Sequence, residues 1–447
     1  ILLGFTILSN ISIAQQNQKY NFTLEQAIDF ALDSNYTAIN ARRDIAIAIK
    51  KKWETTAGGL PQIDANISYQ NNLKQPTTLL PGEIAGGEAG SFVPIIFGTK
   101  QNATLGATLT QLIFDGSYLV GLQAAKTFLD YSENAEEKTQ LEVRRGVINA
   151  YGSVLLSKEL VEIFELNKAN LEKNIFETRA FYENGFTEEE SVEQLEITLI
   201  NLETQLKNSE RTLIIAKQMF NLALGINVES EVVLLDNLAS LTQQNISLEF
   251  LEENIKIENN IDYKIANNFT EQQVLKLKLE KSYSIPNLIA FVNYGTQANS
   301  ENFNFLNNDQ KWYQSSVVGI SMNIPILSSG IRNAKTQQAR IALEQSETNL
   351  TEAYQKVLLE INTAKNNYRF AIEIYNNNKK NLDLSKRVER KNEIKFLEGL
   401  ATSFDLRSAQ IQLYTAQQNY FEAMLRVITT KADLETVLNT PQLKATN

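Results

Sequence analysis

The side chains available for chemistry in this chain of 447 residues are carboxylates and lysines, because the sequence contains no histidine and no cysteine. Those two absences exclude a Ser-His-Asp or Cys-His nucleophile pair, a zinc site of the usual Cys/His type and a disulfide scaffold. A site built from carboxylates or lysine remains possible, but no cluster of these residues has the spacing of one. The sequence therefore predicts neither an enzyme nor a bound metal or cofactor.

The charge balance argues against one class of binding partner. Asp and Glu number 52 against 42 Lys and Arg, which gives a formal net charge of −10. A nucleic-acid-binding protein normally presents a basic face to phosphates, so this balance argues against such a partner. With 43% hydrophobic and 21% charged residues, the composition is that of a folded protein.

The first residues have the pattern of an export signal. Residues 1–13 (ILLGFTILSNISI) are largely apolar and lead to Ser12-Ile13-Ala14, which fits a signal-peptidase site. We interpret residues 1–14 as a residual signal peptide, because the stretch is shorter than the roughly 20 apolar residues that a spanning helix needs. No later stretch reaches that length, so any membrane crossing after residue 15 must be made by β-strands.

The rest of the chain is an internal duplication. Residues 60–69 (LPQIDANISY) align with 285–294 (IPNLIAFVNY), and residues 116–224 align without a gap with 330–438, which lie 214 positions later. We therefore divide the chain into a first structural repeat, 15–245, a second repeat, 246–440, and a C-terminal tail, 441–447.

Each repeat changes its hydrophobic period twice. Thr23 and Gln26 form a predicted capping box that opens a helix running to about Thr56. The period then falls to two, which predicts strands of about ten residues centred on 63–69 and 103–109, and in the second copy on 288–294 and 318–324. Between the first two strands, the glycine-rich stretch 80–90 is predicted to be a flexible, extracellular loop.

Long helices follow the strands in both copies. Gly116 and Gly185 are 69 positions apart, as are Gly330 and Gly399, so each helix is expected to run roughly 100 Å. The return helices carry apolar heptad seams typical of coiled coils, at Val192, Leu195, Leu199, Leu202, Leu206, Leu213 and Phe220 in the first copy and Leu406, Leu413, Val427 and Leu434 in the second.

Strands of this length set the chain apart from a plain coiled coil. About 9 to 11 tilted residues span a bilayer, but four strands cannot close a barrel. Closure requires copies of the chain, giving 8, 12 or 16 strands for two, three or four subunits. Aromatic residues predicted near strand ends, as in a membrane girdle, are Tyr69, Phe92, Phe97, Tyr294, Trp312 and Tyr313. The alternative hypothesis is a periplasmic coiled-coil scaffold without a pore.

At this point the sequence resembles a known family, the TolC-type outer membrane factors. The resemblance covers nearly the whole chain after the signal peptide and rests on the joint order and spacing of short motifs. These are TLEQAIDFALDSN at 23–35, LPQI at 60–63, QLIFDG at 111–116, YENGFT at 182–187 and PILSSG at 325–330.

The resemblance implies an α+β membrane protein. Three chains would form a 12-strand outer-membrane β-barrel, stacked on a 12-helix α-helical barrel in the periplasm. It implies a homotrimer in contact with outer-membrane lipid. It further implies an exit duct of tripartite efflux or type I secretion systems, joined through a periplasmic adaptor to an inner-membrane transporter of RND, ABC or MFS type.

The resemblance also assigns roles to residues at the two helical hairpins. The turns are implied to contact the adaptor through Tyr182, Asn184, Gly185, Phe186 and Thr187 in the first hairpin and Phe396, Glu398, Gly399, Leu400 and Ala401 in the second. Alignment on Gly399 places Asp405 at an acidic ring position of the periplasmic gate. The next ring position holds Ser408 rather than an acid, and Glu190 and Glu193 are the further gate candidates.

A structural role competes with gating for some of these acids. Thr402 with Asp405, and Thr187 with Glu190, both have the spacing of a helix capping box. If Asp405 does line the lumen of a trimer, a ring of three carboxylates would favour cations.

Overall fold

The computed structural model describes residues 19–247, 251 and 256–439. The predicted signal peptide, 1–14, and the C-terminal tail, 441–447, lie outside them. Two compact units each draw on both repeats. The first takes its described residues from Ile1–Ile45, Tyr131–Asn267 and Thr348–Asn447, and the second takes Ala46–Asp130 and Asn268–Glu347.

The long helices and the four long strands follow the predicted order, and the described residues contain nine helices besides one 3₁₀ turn, Ile257–Asn259. The helices are α1 (Leu24–Ser34), α2 (Tyr36–Ala57), α3 (Gly82–Ala85), α4 (Gly116–Glu183), α5 (Glu189–Leu224), α6 (Leu238–Gln244), α7 (Ile261–Ser282), α8 (Ile331–Leu397) and α9 (Ser403–Leu438). The strands are β1 (Tyr20–Phe22), β2 (Gln62–Asn71), β3 (Thr77–Pro81), β4 (Phe92–Ile96), β5 (Gln101–Phe114), β6 (Val232–Leu234), β7 (Asn287–Ser300) and β8 (Tyr313–Asn323).

The duplication is visible in the helix lengths. Helices α4 and α8 have 68 and 67 residues, and α5 and α9 have 36 each. The predicted heptad seams are where these helices pack. Leu195 and Leu202 of α5 are buried against Phe164 and Leu171 of α4 in the first unit.

The prediction of one helix from Thr23 to about Thr56 was wrong. The capping box of Thr23 and Gln26 is present, but the helix ends at Ser34 and a second begins at Tyr36. Asn35 separates them with an extended backbone (φ −61°, ψ 135°). Its side-chain Oδ1 accepts hydrogen bonds from the backbone amides of Thr37 (2.8 Å) and Ala38 (3.4 Å), so Asn35 caps the second helix.

The core of the first unit surrounds Tyr151, which is fully buried. Its hydroxyl donates to the carboxylate of Asp236 (2.8 Å), which also accepts the backbone amide of Leu24 (2.7 Å). Burial raises the pKa of Tyr151, and the Asp236 carboxylate raises it further, so the phenol stays protonated and holds this contact. Nearby, β1 pairs in parallel with β6, a small sheet that the sequence analysis did not predict.

The second unit contains the four predicted long strands in one antiparallel sheet of order β2-β5-β7-β8. The stretch 80–90, predicted as a flexible loop, is instead part of a hairpin in which β3 pairs with β4 around the one-turn helix α3. Tyr294, predicted near a strand end, lies inside β7, which continues to Ser300.

The sheet has one apolar face, as predicted. Strand pairing places Ile63 beside Leu109, Val292 and Val318 in one cross-strand row. Every second residue along each strand extends this surface, which we call the apolar face. Its apolar members include Ile63, Ala65, Ile67, Tyr69, Ala103, Leu105, Ala107, Leu109, Ala290, Val292, Tyr294, Ala298, Val318, Ile320 and Met322, and the polar residues Gln111, Thr296, Gln314 and Ser316 share the same face.

The opposite, polar face explains the weak alternation of β7. Phe291 lies on this face and pairs in register with Gly319 of β8. A Cβ built on Gly319 would come within 2.6 Å of the Phe291 ring. The ring therefore occupies the space that the glycine leaves open.

Candidate functional site

The two hairpin turns of the first unit have the same backbone geometry. After α4, the amide of Gly185 donates to the carbonyl of Tyr182 (2.9 Å) and that of Phe186 to the carbonyl of Phe181 (2.9 Å). After α8, Gly399 and Leu400 donate in the same way to Phe396 (3.0 Å) and Lys395 (2.7 Å). Each is a Schellman motif.

Both glycines are required by conformation rather than by space. Gly185 has φ +77° and Gly399 has φ +73°, in the left-handed region that residues with a Cβ avoid. A Cβ on either glycine would meet no atom within 4 Å. The repeated glycine thus fixes the shape of each tip and the start of the following helix.

The glycine also decides which residue caps the return helix. In both hairpins the N-cap comes three residues after the glycine, at Glu188 and at Thr402. The predicted capping box at Thr402 and Asp405 is confirmed. The one predicted at Thr187 and Glu190 was wrong, because Thr187 lies one position too early and its hydroxyl contacts Ser191 instead (3.1 Å).

Asp405 is exposed and held in one position. Its carboxylate accepts from the hydroxyl (2.6 Å) and the backbone amide (3.0 Å) of Thr402, while its own amide donates to the Thr402 hydroxyl (3.1 Å). The hydrogen bond from the Thr402 side chain holds the pKa of Asp405 below its usual value. Asp405 is therefore a fixed negative charge, and the exposed Ser408 lies three residues on, on the same face of α9.

Glu190 and Glu193 are also exposed and three residues apart, on α5. Glu190 accepts a hydrogen bond from Gln194 (2.9 Å). However, they follow Gly185 by five and eight positions, whereas Asp405 and Ser408 follow Gly399 by six and nine. One residue turns a helix by about 100°, so the two pairs lie on different faces of corresponding helices.

The tips present apolar side chains to solvent. Phe186 is 81% exposed and Leu400 is 74% exposed, although the residue after the glycine in this motif commonly packs back on its own helix. The other predicted adaptor-contacting residues are exposed or half-buried: Tyr182, Asn184, Gly185, Thr187, Phe396, Glu398, Gly399 and Ala401. Phe404, exposed beside Asp405, was not predicted, although its place next to the capping residue was readable in the sequence.

Ion pairs cross between the helices of the first hairpin. Arg179 of α4 pairs with Glu196 of α5, and Lys168 pairs with Glu203 (2.9 Å). Positions 214 residues later in the second hairpin hold Glu393 and Gln410, and Leu382 and Gln417. The charges that join α4 to α5 therefore have no counterparts between α8 and α9. This difference was not predicted, although it is readable in the aligned repeats.

The described part of the chain contains no group of three or more Asp and Glu side chains placed to hold a metal ion. Within the same residues, none of the helices combines the length and the apolar character needed to cross a membrane.

A family model, a sequence relative and solved structures give consistent results. The family model described as "Outer membrane efflux protein" matches residues 276–440. The chain is 21% identical to outer membrane protein TolC of Vibrio cholerae serotype O1 over 337 residues, which is 75% of this chain and 76% of that protein.

Solved structures share the fold. The outer membrane protein VceC of Vibrio cholerae matches with a TM-score of 0.72 and 15% identity, covering 93% of this chain and 96% of VceC. The Campylobacter jejuni CmeC outer membrane channel matches with a TM-score of 0.73 and 15% identity, covering 93% of this chain and 85% of CmeC. Together with the duplicated helices and the four-stranded sheet, these matches show that the chain has the TolC-like fold and that residues 276–440 are similar to the outer membrane efflux proteins.

Proposed function

We propose that this chain is the outer-membrane exit duct of a tripartite efflux or type I secretion system, through which substrate passes passively. TolC-like outer membrane factors are trimeric channels that work with adaptor and inner-membrane pump partners. The observation that carries the proposal is the four-stranded sheet with an exposed apolar face and with β2 and β8 at its edges. In lipid those edges must pair, and the strands of further copies can pair with them.

Three copies would give a barrel of 12 strands, and the helices also support a trimer. Ile197, Ile200 and Ile214 of α5 are exposed in the single chain, whereas the seam of the same helix is buried. A solvated helix normally presents polar residues on its outer face. We assign this apolar surface to contact with a second copy of the chain.

The gate is proposed to lie at Asp405. Its carboxylate is exposed, charged and fixed by Thr402, and three copies would place three such charges around one axis. If the two repeats are related by rotation about that axis, corresponding helix faces point the same way. Asp405 with Ser408, and Glu190 with Glu193, would then not both face the lumen. We assign the lumen to Asp405.

The tips are the proposed contact with the periplasmic adaptor. Phe186 and Leu400 supply exposed apolar side chains on turns whose backbone is fixed by glycine, so little ordering cost is expected on binding. The inner-membrane pump would reach this chain through that adaptor. Opening is proposed to move the second hairpin more than the first, because the positions that match Arg179 and Glu196 in the second hairpin, Glu393 and Gln410, cannot form the same ion pair.

The proposal is tested by ion selectivity in planar bilayers. Asp405→Asn removes the charge and keeps an acceptor for Thr402, so we expect conductance without the cation preference of the unaltered protein. Glu193→Gln removes an equally exposed charge from the first hairpin and is the matched control, with unchanged selectivity. A cation preference that survives in Asp405→Asn would exclude the gate role. Failure to recover trimers from the outer-membrane fraction would exclude the duct and favour a periplasmic scaffold.

A further inference from the structure

Four apolar side chains lie together on the polar face of the sheet. Ile289 and Phe291 are the two residues of β7 that depart from the alternation, and Leu112 of β5 pairs with Ile289. Phe291 pairs with Gly319 of β8, and Val317 lies two residues before Gly319 on the same face. All of these residues belong to the second unit. We call Leu112, Ile289, Phe291 and Val317 the inner patch.

The inner patch is accessible to solvent. Val317 is 55% exposed, and Leu112, Ile289 and Phe291 are half-buried. The Phe291 ring lies over Gly319, where an added Cβ would come within 2.6 Å of it, so the wall beneath the ring is backbone without a side chain. Apolar surface that faces water in this way gains free energy when a solute covers it.

The opposite end of the polar face is hydrophilic. There the hydroxyls of Ser68 and Thr104 are hydrogen-bonded (2.8 Å), and the Asn102 amide donates to the side chain of Asn299 (2.7 Å). The inner patch lies at the other end of the sheet, because α4 begins four residues after Leu112. The apolar surface is therefore confined to one part of this face.

One charge accompanies the inner patch. Asp64 is the only charged residue in β2, β5, β7 and β8, and it is exposed on the polar face. It pairs with Thr108 of β5, which in turn pairs with Asn293 of β7. Phe291 lies two residues along β7 from Asn293, so the spacing of strands places it roughly 12 Å from Asp64. A molecule of modest size can approach both.

The position of the inner patch restricts what can cover it. In the proposed barrel the apolar face contacts lipid, so the polar face lines the lumen and lipid does not reach the patch. Each copy contributes four strands, so the patches of neighbouring copies are separated by roughly 19 Å along the wall and do not cover one another. The remaining occupant is a solute in the lumen.

We propose that the inner patch and Asp64 form a contact site for amphiphilic organic cations that pass through the barrel. The apolar part of such a molecule covers Phe291, and its positive charge is attracted by the carboxylate of Asp64. The aligned repeats supply complementary parts, because Ile289 and Phe291 correspond to Asp64 and Asn66 of the first copy. The site names a substrate class for the proposed function and rests on it in requiring that the polar face lines a lumen.

Three small probes separate the two parts of the site. Benzyltrimethylammonium carries a ring and a positive charge, tetramethylammonium lacks the ring, and benzenesulfonate combines the ring with a negative charge. Binding to the purified trimer in detergent is measured by saturation-transfer NMR at low salt. We expect benzyltrimethylammonium to bind about fivefold more tightly than tetramethylammonium, since only the former covers the Phe291 ring. Benzenesulfonate should bind more weakly than benzyltrimethylammonium, because Asp64 repels it.

Substitutions assign the binding to these residues. Phe291→Asn installs the residue of the first repeat and should weaken benzyltrimethylammonium binding about fivefold. Val317→Ser, on the neighbouring strand, should weaken it in the same direction. Asp64→Asn should weaken it about twofold at low salt and have no effect in about 1 M salt, where charges are screened. Asn293→Ser changes a polar residue of the same face and is the matched control, with unchanged binding.

The outcomes distinguish the site from the duct. Conducting trimers that bind benzyltrimethylammonium equally well with and without Phe291→Asn and Val317→Ser would overturn the site and leave the proposed function intact. Benzenesulfonate binding as tight as that of benzyltrimethylammonium would overturn the role of Asp64. Absence of conducting trimers in the unaltered protein would overturn the proposed function and the site with it.

Discussion

A buried ion pair in the first unit offers a quantitative test of what holds its helices together. Arg144 of α4 and Glu435 of α9 are joined at 2.6 Å, with side chains only 7% and 4% exposed. Lys431 is a second, longer partner of Glu435, at 3.6 Å. Removing one member of a buried pair leaves a charge without its main partner, which costs roughly 3 to 5 kcal/mol.

We expect Arg144→Met to lower the free energy of unfolding by about 3 kcal/mol, the lower end of that range, because Lys431 still faces the Glu435 carboxylate. At about 2 °C or more per kcal/mol for a large domain, the midpoint of thermal unfolding should fall by roughly 6 °C or more. The assay is circular dichroism of the purified protein in detergent. Lys158→Met, which removes an exposed pair with Glu162 on the same helix, should cost less than about 0.5 kcal/mol.

A double-mutant cycle isolates the pair itself. Glu435→Gln alone should also destabilise strongly, since it leaves Arg144 buried without a carboxylate. The double variant Arg144→Met with Glu435→Gln should be less destabilised than the two single variants together, by about 2 kcal/mol. Strict additivity, or an Arg144→Met variant as stable as the Lys158→Met control, would refute the reasoning.

Three further predictions concern the turn, the sheet and the gate. Gly185→Ala should cost about 1 kcal/mol through its positive φ, whereas Gly146→Ala, inside α4 with open space around it, should be neutral or stabilising in the same thermal assay. Gly319→Ala should lower the yield of heat-stable protein on gels, and adding Phe291→Leu, which removes the obstructing ring, should restore it. The pKa of Asp405 is lowered from its ordinary value of 3.8, so its charge and its capping contribution are fully present above pH 3.8. Both are lost only as the pH falls through the lower pKa of the folded protein. Cation preference in bilayers should therefore be constant between pH 7 and pH 5.

The hydrophobic periods and the glycine positions predicted the main architecture because both repeats show the same pattern. Helices α4 and α8 begin and end beside the aligned glycines, and the alternation of β2 and β8 predicted a sheet with one apolar face. Where a signal was weaker, local reasoning failed. Asn35 has no glycine or proline beside it, so the break between α1 and α2 depended on its side chain accepting hydrogen bonds from the amides of Thr37 and Ala38.

Part of the candidate site was also predicted from the residues, and part was not. The residues themselves predicted the hairpin turns and the capping box of Asp405, since both depend on contacts within a few positions of a glycine, whereas Phe186 and Leu400 were named through the family resemblance. The false capping box at Thr187 arose because Thr187 and Glu190 have the capping-box spacing, whereas the turn makes Glu188 the N-cap of α5.

What the sequence by itself determined was the order and type of the long helices and of the four long strands, because hydrophobic period and capping act over one or two turns of chain. What only the tertiary structure decided were contacts between distant positions. These include the pairing of Tyr151 with Asp236, the ring of Phe291 over Gly319, and the return of Phe303 and Phe305 onto Tyr69. Such contacts depend on which strands and helices are brought together, and the periodicity of a single segment does not encode that.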